Sequence, residues 1–160
     1  MARSLIALLL TLSTAAAALP EDRDLPITVN ADNASFDERA GRAVYTGNVI
    51  LTQGALRIEA ARLTAKLING QVDSMTATGS PAIFADTPNV EQGPVKGIAS
   101  TIDWTLTDQI MVLTGDAELT QSTNTVIGES VIYRQAKGTL EASSQGSGER
   151  VQMTLTPNNS

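Results

Sequence analysis

Asp116 and Glu118 stand two residues apart, a spacing that sends two carboxylates from one face of a strand, where they can hold a divalent cation or share acid–base work. Ala117 and Leu119 take the alternate, apolar positions, so the alternation places the two acids on the solvated face of an ordinary strand. Gly146-Ser147-Gly148 lacks the third glycine, the lysine and the following helix of a phosphate loop and reads as a turn. Asn33-Ala34-Ser35 matches the glycosylation acceptor pattern, a match too short to use. Serines are plentiful, but the chain has no His and no Ser-x-x-Lys pattern to activate one. With no Cys either, thiolate chemistry, disulfides and the usual zinc ligands are excluded. The sequence therefore offers no catalytic residue, no metal site and no cofactor, and the reading is of a protein that is not an enzyme.

The charge balance narrows the partners. Eleven basic residues face seventeen acidic ones, a net charge of −6, so the basic footprint that holds a phosphate backbone is missing and nucleic acid is not an expected partner. A hydrophobic content of 42% supports a buried core in a chain of 160 residues. The first residues stand apart: Arg3, the apolar run LIALLLTL over 5–12 and small residues to Ala18 have the order of a secretory signal peptide. That run is far shorter than the roughly 20 residues of a spanning helix. Cleavage is expected after Ala18, leaving a domain over 19–156, a short tail at 157–160, and an exported protein without an anchor.

The rest must position a single apolar face. Val, Ile, Thr and Leu recur in short alternating runs broken by turn residues, the pattern of consecutive antiparallel strands. Ile27, Val29 and Ala31 share one face of the first, Gly47-Asn48 breaks the chain before Val49 and Leu51, and Asn69-Gly70 is the clearest hairpin signal. Residues 45–53, YTGNVILTQ, return 68 positions later as LTGDAELTQ, with five identities in nine. Phe36 and Trp104, and Gly70 and Gly138, keep the same spacing, which marks a structural unit used twice. One segment conflicts. Residues 55–67, ALRIEAARLTAKL, place Leu56, Ala60, Leu63 and Leu67 at helical spacing. Their counterpart after Asn124 is rich in Val and Ile, so both are read as strand pairs, with Leu56, Ile58, Leu63 and Ala65 inward. The inward set then includes Phe36, Tyr45, Leu51, Leu56, Ile58, Leu63, Ile102, Leu113 and Leu119; alternation alone leaves open whether it forms a closed sandwich core or a ligand groove.

The segments LPITVNAD over 25–32, YTGNVILTQG over 45–54, GSPAIF over 79–84 and VLTGDA over 112–117 resemble the OstA-like family of periplasmic lipopolysaccharide-transport proteins, in order and over nearly the whole mature chain. The resemblance implies an all-β, open, twisted β-jellyroll, a V-shaped trough of about sixteen short antiparallel strands. It implies a bridge component that binds lipid A acyl chains of lipopolysaccharide in an apolar groove and passes them between the membranes through head-to-tail self-association. The implied partners are an LptC-like inner-membrane protein and an LptD-like outer-membrane protein, and the implied location is the periplasm. Residue matching carries lipid contact onto Ile27, Val29, Phe84, Trp104 and Leu106, and the inward set joins them. Assembly is expected through the edges at Ile27, Thr28 and Val29 and at Val151, Met153 and Leu155. The acidic charge does not attract lipid A phosphates, so Arg57, Arg62, Lys66 or divalent cations are the expected compensation. A secreted, self-assembling structural or adhesive β-protein without lipid cargo is the alternative.

Overall fold

The computed structural model describes residues 22–88, 93–144, 148 and 150–157. The expected signal segment at 1–18, most of the tail at 157–160, and Gly146-Ser147 lie outside the described residues. The remainder is one antiparallel sheet of ten strands: β1 (Thr28–Asn30), β2 (Asn33–Asp37), β3 (Arg42–Gln53), β4 (Leu56–Ile68), β5 (Gln71–Asp86), β6 (Val95–Thr105), β7 (Ile110–Gln121), β8 (Asn124–Arg134), β9 (Thr139–Ser143) and β10 (Gln152–Thr154). The strands from β3 to β8 pair in chain order. β1 and β2 share the free side of β3, and β9 and β10 share the free side of β8. Asn69 and Gly70, with φ of 53° and 78°, make the tight hairpin between β4 and β5 that their residue types require.

The helical spacing of 55–67 is overridden. Residues 56–68 form β4, paired on both sides, and Leu56, Ile58, Leu63 and Ala65 are all buried. A helix there would leave the facing edges of β3 and β5 without their ladder, so neighbouring strands decide the conformation of residues whose own propensity favours a helix. β4 is one strand, however, and not the expected pair.

The expectation of about sixteen short strands is corrected for the same reason. Among the described residues there are ten, because the Gly-rich points that look like breaks are β-bulges within continuous strands of 11 to 16 residues. Gly47 and Asn48 have φ of 81° and 47°, and the register with β4 shifts between Thr46 and Val49. Gly115 and Asp116 repeat this at 81° and 49°, with a shift between Thr114 and Ala117. Further shifts fall at Glu59/Arg62, Thr78/Ala82 and Ile98/Thr101, so these five line up across the sheet, while one more, at Lys66/Leu67, lies apart beside the Asn69-Gly70 hairpin. A bulge bends its strand, and a row of bulges creases the whole sheet.

Side-chain contacts establish that the sheet folds over at this crease. Phe84 is paired with Gly97 and Trp104 with Met75, so Trp104 lies seven residues beyond Phe84's partner on β6. An unbent strand would separate them by roughly 23 Å at about 3.3 Å per residue. Their ring centroids are 5.5 Å apart, edge to face. Likewise Gln121 pairs with Asn124 at the end of β8, yet its Nε2 donates to the hydroxyl of Tyr133, nine residues further along, at 3.4 Å. Each long strand thus crosses both walls of a trough. The first wall holds β1, β10 and the halves of β3 to β8 near residues 53, 86 and 121; the second holds β2, β9 and the halves near the Asn69-Gly70 hairpin.

The pairing registers recur at the 68-residue spacing. Thr28↔Thr52 returns as Lys96↔Thr120, and Asn33↔Thr46 as Thr101↔Thr114. β6 therefore occupies, relative to β7, the place that β1 and β2 together occupy relative to β3.

Candidate functional site

Strict alternation carries three rows of side chains across the inner face. The first wall contributes Val29, Leu51, Ile58, Phe84, Gly97, Leu119, Val126 and Met153, one from each adjacent strand in register. The second contributes a row from Phe36 through Ala43, Ala65, Met75, Trp104, Met111 and Tyr133 to Leu140, and another from Ala34 through Tyr45, Leu63, Ala77, Ile102, Leu113 and Val131 to Ala142. The two walls close on each other, and their aliphatic and aromatic groups form one cluster. Gly97 marks the closeness of approach: a Cβ there would sit 2.8 Å from Cδ2 of Leu113, which is six residues from Gly97's own partner Leu119.

Of the residues expected to contact lipid, Leu51, Leu56, Ile58, Leu63, Phe84, Ile102, Trp104, Leu113 and Leu119 lie inside this cluster, at 4% exposure or less. Val29, Tyr45 and Leu106 are half-buried against it. Ile27 and Phe36 are at the free edge, 36% and 60% exposed. Between the β1–β2 edge and β3 to β5 a cavity of about 260 Å³ is lined by Ile27, Val29, Phe36, Tyr45, Leu51 and Leu63 among others. Met75, Met111, Val126, Val131 and Tyr133 also face inward; the same period of two would have found them.

A larger cavity of about 910 Å³ runs along the mouth, where the hairpin ends of the two walls meet. Leu25, Ile27, Trp104 and Leu106 supply its apolar floor; Gln53, Gln71, Gln109 and Gln135 ring it with neutral amides, and Asp22 and Asp86 add acid. Among the described residues no Lys or Arg lines it. Sequence reasoning missed this polar rim, because its members come from six separate turns and strand ends. Gln53 Nε2 donates to the carbonyl of Leu25, and the amide of Ala55 donates to Asp22, which ties the segment before β1 down beside the mouth. Burial pushes the Tyr133 phenol above its usual range; the Gln121 hydrogen bond acts the other way, and the negative charge of Asp86 adds to the rise.

The charged candidates lie elsewhere. Arg57, Arg62 and Lys66 alternate with the buried residues of β4 and point outward, Arg57 paired with Glu59 at 2.9 Å, so the expected basic compensation does not face the trough. Asp116 is exposed in its bulge, and no group of three metal-ligating side chains is found among the described residues. Thr28 and Val29 stand on β1, and Met153 on β10, the outermost strands of the first wall. Val151, Met153 and Leu155 are 40%, 53% and 67% exposed, against near-complete burial of the same face in the middle of the sheet. The arrangement can sequester apolar chains and add strands at its edges; among the described residues it assembles no group able to make or break a bond.

Residues 28–139 match the family model described as LptA/(LptD N-terminal domain) LPS transport protein. The lipopolysaccharide export system protein LptH of Pseudomonas aeruginosa is 37% identical over 122 residues, 76% of this chain and 70% of that protein. The lipopolysaccharide export system protein LptA of Escherichia coli (strain K12) is 32% identical over 151 residues, 93% of this chain and 80% of that protein. A crystal structure of LptH, the LptA-homologous periplasmic component of the lipopolysaccharide transport device of P. aeruginosa, superposes with a TM-score of 0.76 at 31% identity, covering 86% of this chain and all of that one.

Proposed function

The chain belongs to the family of LptA and LptD N-terminal-domain lipopolysaccharide transport proteins, and from that premise we propose that its trough takes up the acyl chains of lipopolysaccharide and hands them on across the periplasm. The observation that carries this is the unbroken apolar inner face, which runs across every strand and emerges at both free edges of the sheet. The alternative of a self-assembling protein without cargo loses ground to the transport proteins among its relatives. The work is binding and transfer, not catalysis.

Each methylene removed from water is worth about 0.8 kcal/mol, so a chain of about a dozen carbons resists exposure by on the order of 10 kcal/mol. A wall of aliphatic groups removes that barrier along its length without a fixed polar contact to hold the lipid in place. The closely packed interior has no room for several chains, so loading parts the walls at the mouth, with the crease as the line about which they swing. The amide-ringed rim, with no basic side chain among the described residues, fits a headgroup that stays in solvent with its own counter-ions. Transfer then requires the troughs of successive copies to be continuous: the β1–β2 edge of one copy meets the β9–β10 edge of another, and an LptC-like and an LptD-like partner take the two ends. The test is photo-crosslinking. A photoreactive side chain at Leu106 or Ile27 should capture lipopolysaccharide, and one at Asp103, on the outer face of β6, should not. Capture from position 103 alone would refute the trough as the binding surface.

A further inference from the structure

The free edges carry more information than their exposure. We propose that two copies of this chain join in one register, in both walls at once, and that this register is the one already present inside the molecule between β5 and β6. The inference rests on the head-to-tail reading above and adds its geometry.

The two edges correspond to that internal junction strand by strand. β6 pairs with β7 as β1 and β2 pair with β3, 68 residues earlier. On the other side, Lys66 pairs with Ser74 and Ile58 with Phe84, while the residues 68 positions later, Arg134 and Val126, pair with Thr139 and Met153. β9 and β10 together therefore stand to β8 as β5 stands to β4. Inside the chain these two surfaces are joined, antiparallel, as β5 and β6. At the ends of the sheet the same two surfaces carry no further strand among the described residues, and the strand directions again make their meeting antiparallel.

Transferring the internal pairs fixes the joint. Met75↔Trp104 becomes Leu140 against Phe36 of the second copy, and Phe84↔Gly97 becomes Met153 against Val29 of the second copy. Both are inner-face pairs, so the apolar rows of one trough run into those of the next, and the 60% exposed Phe36 and 53% exposed Met153 are covered. On the outer face Thr76↔Asp103, joined by a hydroxyl–carboxylate hydrogen bond of 2.6 Å, becomes Glu141 against Ser35 of the second copy, the same pair of groups with the strands exchanged. Competing registers are worse on stated grounds. A slip of one residue sets every apolar side chain against the outer face. A slip of two in one direction opposes Glu141 to Asp37, two like charges directly across the joint. A slip of two in the other direction moves Leu140 from Phe36 to Ala34 and leaves Phe36 uncovered.

The chain has no cysteine, so engineered thiols report the register without background. Protein bearing Phe36→Cys is mixed, under mild oxidation, with a mass-tagged copy bearing Leu140→Cys; a second mixture pairs Val29→Cys with Met153→Cys. Directly opposed residues approach within disulfide reach, whereas diagonal neighbours stand about 7–8 Å apart. Both mixtures should give disulfide-linked heterodimers at least tenfold above a third, Ala34→Cys with Leu140→Cys. A third mixture that links better than the first overturns the register and leaves head-to-tail assembly standing. Heterodimers from none of the mixtures, or only homodimers of the Phe36→Cys protein linked through its introduced thiol, overturn head-to-tail assembly itself and the register with it.

Discussion

Gly97 shows how one side chain, or its absence, sets the width of the trough. It stands opposite Phe84 and Leu119 on the first wall, and the space a β-carbon would need is filled by Leu113 of the second. Gly97→Val is expected to cost about 1–3 kcal/mol by overpacking, measured by urea denaturation. Leu113→Ala in the same chain should recover part of that loss even though it is destabilising alone. Additive losses would mean that the two residues do not meet across the trough. Tyr133 gives a second readout at this scale. Its phenol is held above its usual range, chiefly by burial, so the folded state binds that proton more tightly than the unfolded one. The stability this confers is complete below about pH 10, where the unfolded phenol titrates, and is lost as the pH rises through the higher folded value. The native protein should therefore lose stability more steeply above about pH 10 than Tyr133→Phe. Parallel pH curves for the two proteins would contradict the assignment.

The elements divide into six long strands that cross both walls and four short ones that only complete the edges. β10 pairs with β8 over three residues, and a further pair of hydrogen bonds joins Thr156 to Asn124 and Thr123. At roughly 1 kcal/mol net for each backbone hydrogen bond, deletion of residues 151–160 should lower stability by only about 1–3 kcal/mol and leave a folded protein by circular dichroism. The same deletion removes half of the C-terminal edge, so self-association should fall at least tenfold by sedimentation. Undiminished association of the truncated chain would exclude β10 from the joint. The crease depends on elements in the same way. Asp32, between β1 and β2, receives the Asn48 side-chain amide at 2.9 Å and gives its own backbone N–H to the carbonyl of Gly47, holding the bulge in β3.

For the whole molecule, the two edges are different surfaces, and a contact between unlike surfaces does not close on itself at two copies. The average mass in sedimentation should therefore climb steadily with concentration toward open rods. A plateau at a two-fold dimer would refute the stacked trough. Lipopolysaccharide should not dissociate the rods, because it enters between the walls while the joints lie along the edges. In the proposed assembly the association energy would come from a few backbone hydrogen bonds and modest apolar burial at each wall, set against an association cost of at least about 4 kcal/mol. The proposed joint should consequently be reversible, with dilution in sedimentation returning the rods to single copies.

The all-β character, the inward residues, the hairpin at Asn69-Gly70 and the 68-residue spacing were legible in the chain, because alternation and turn chemistry act between neighbours and leave a local mark. The same locality explains the misreadings. Gly47-Asn48 carries the residue types of a turn, and whether positive φ at two successive residues reverses the strand or merely bends it depends on the neighbouring strands that continue the ladder past it. The helical spacing of 55–67 was likewise settled by hydrogen bonds from β3 and β5. Alternation could assign Phe84, Trp104 and Leu113 to one face, but which of them meet across it follows from the fold of the sheet along its crease. The rim of glutamines and the matching registers of the two edges belong to that level too, since they bring together residues from distant turns that no period in the sequence connects. The residues decide which face is apolar; the bulges, acting together through the sheet, decide that this face encloses a trough.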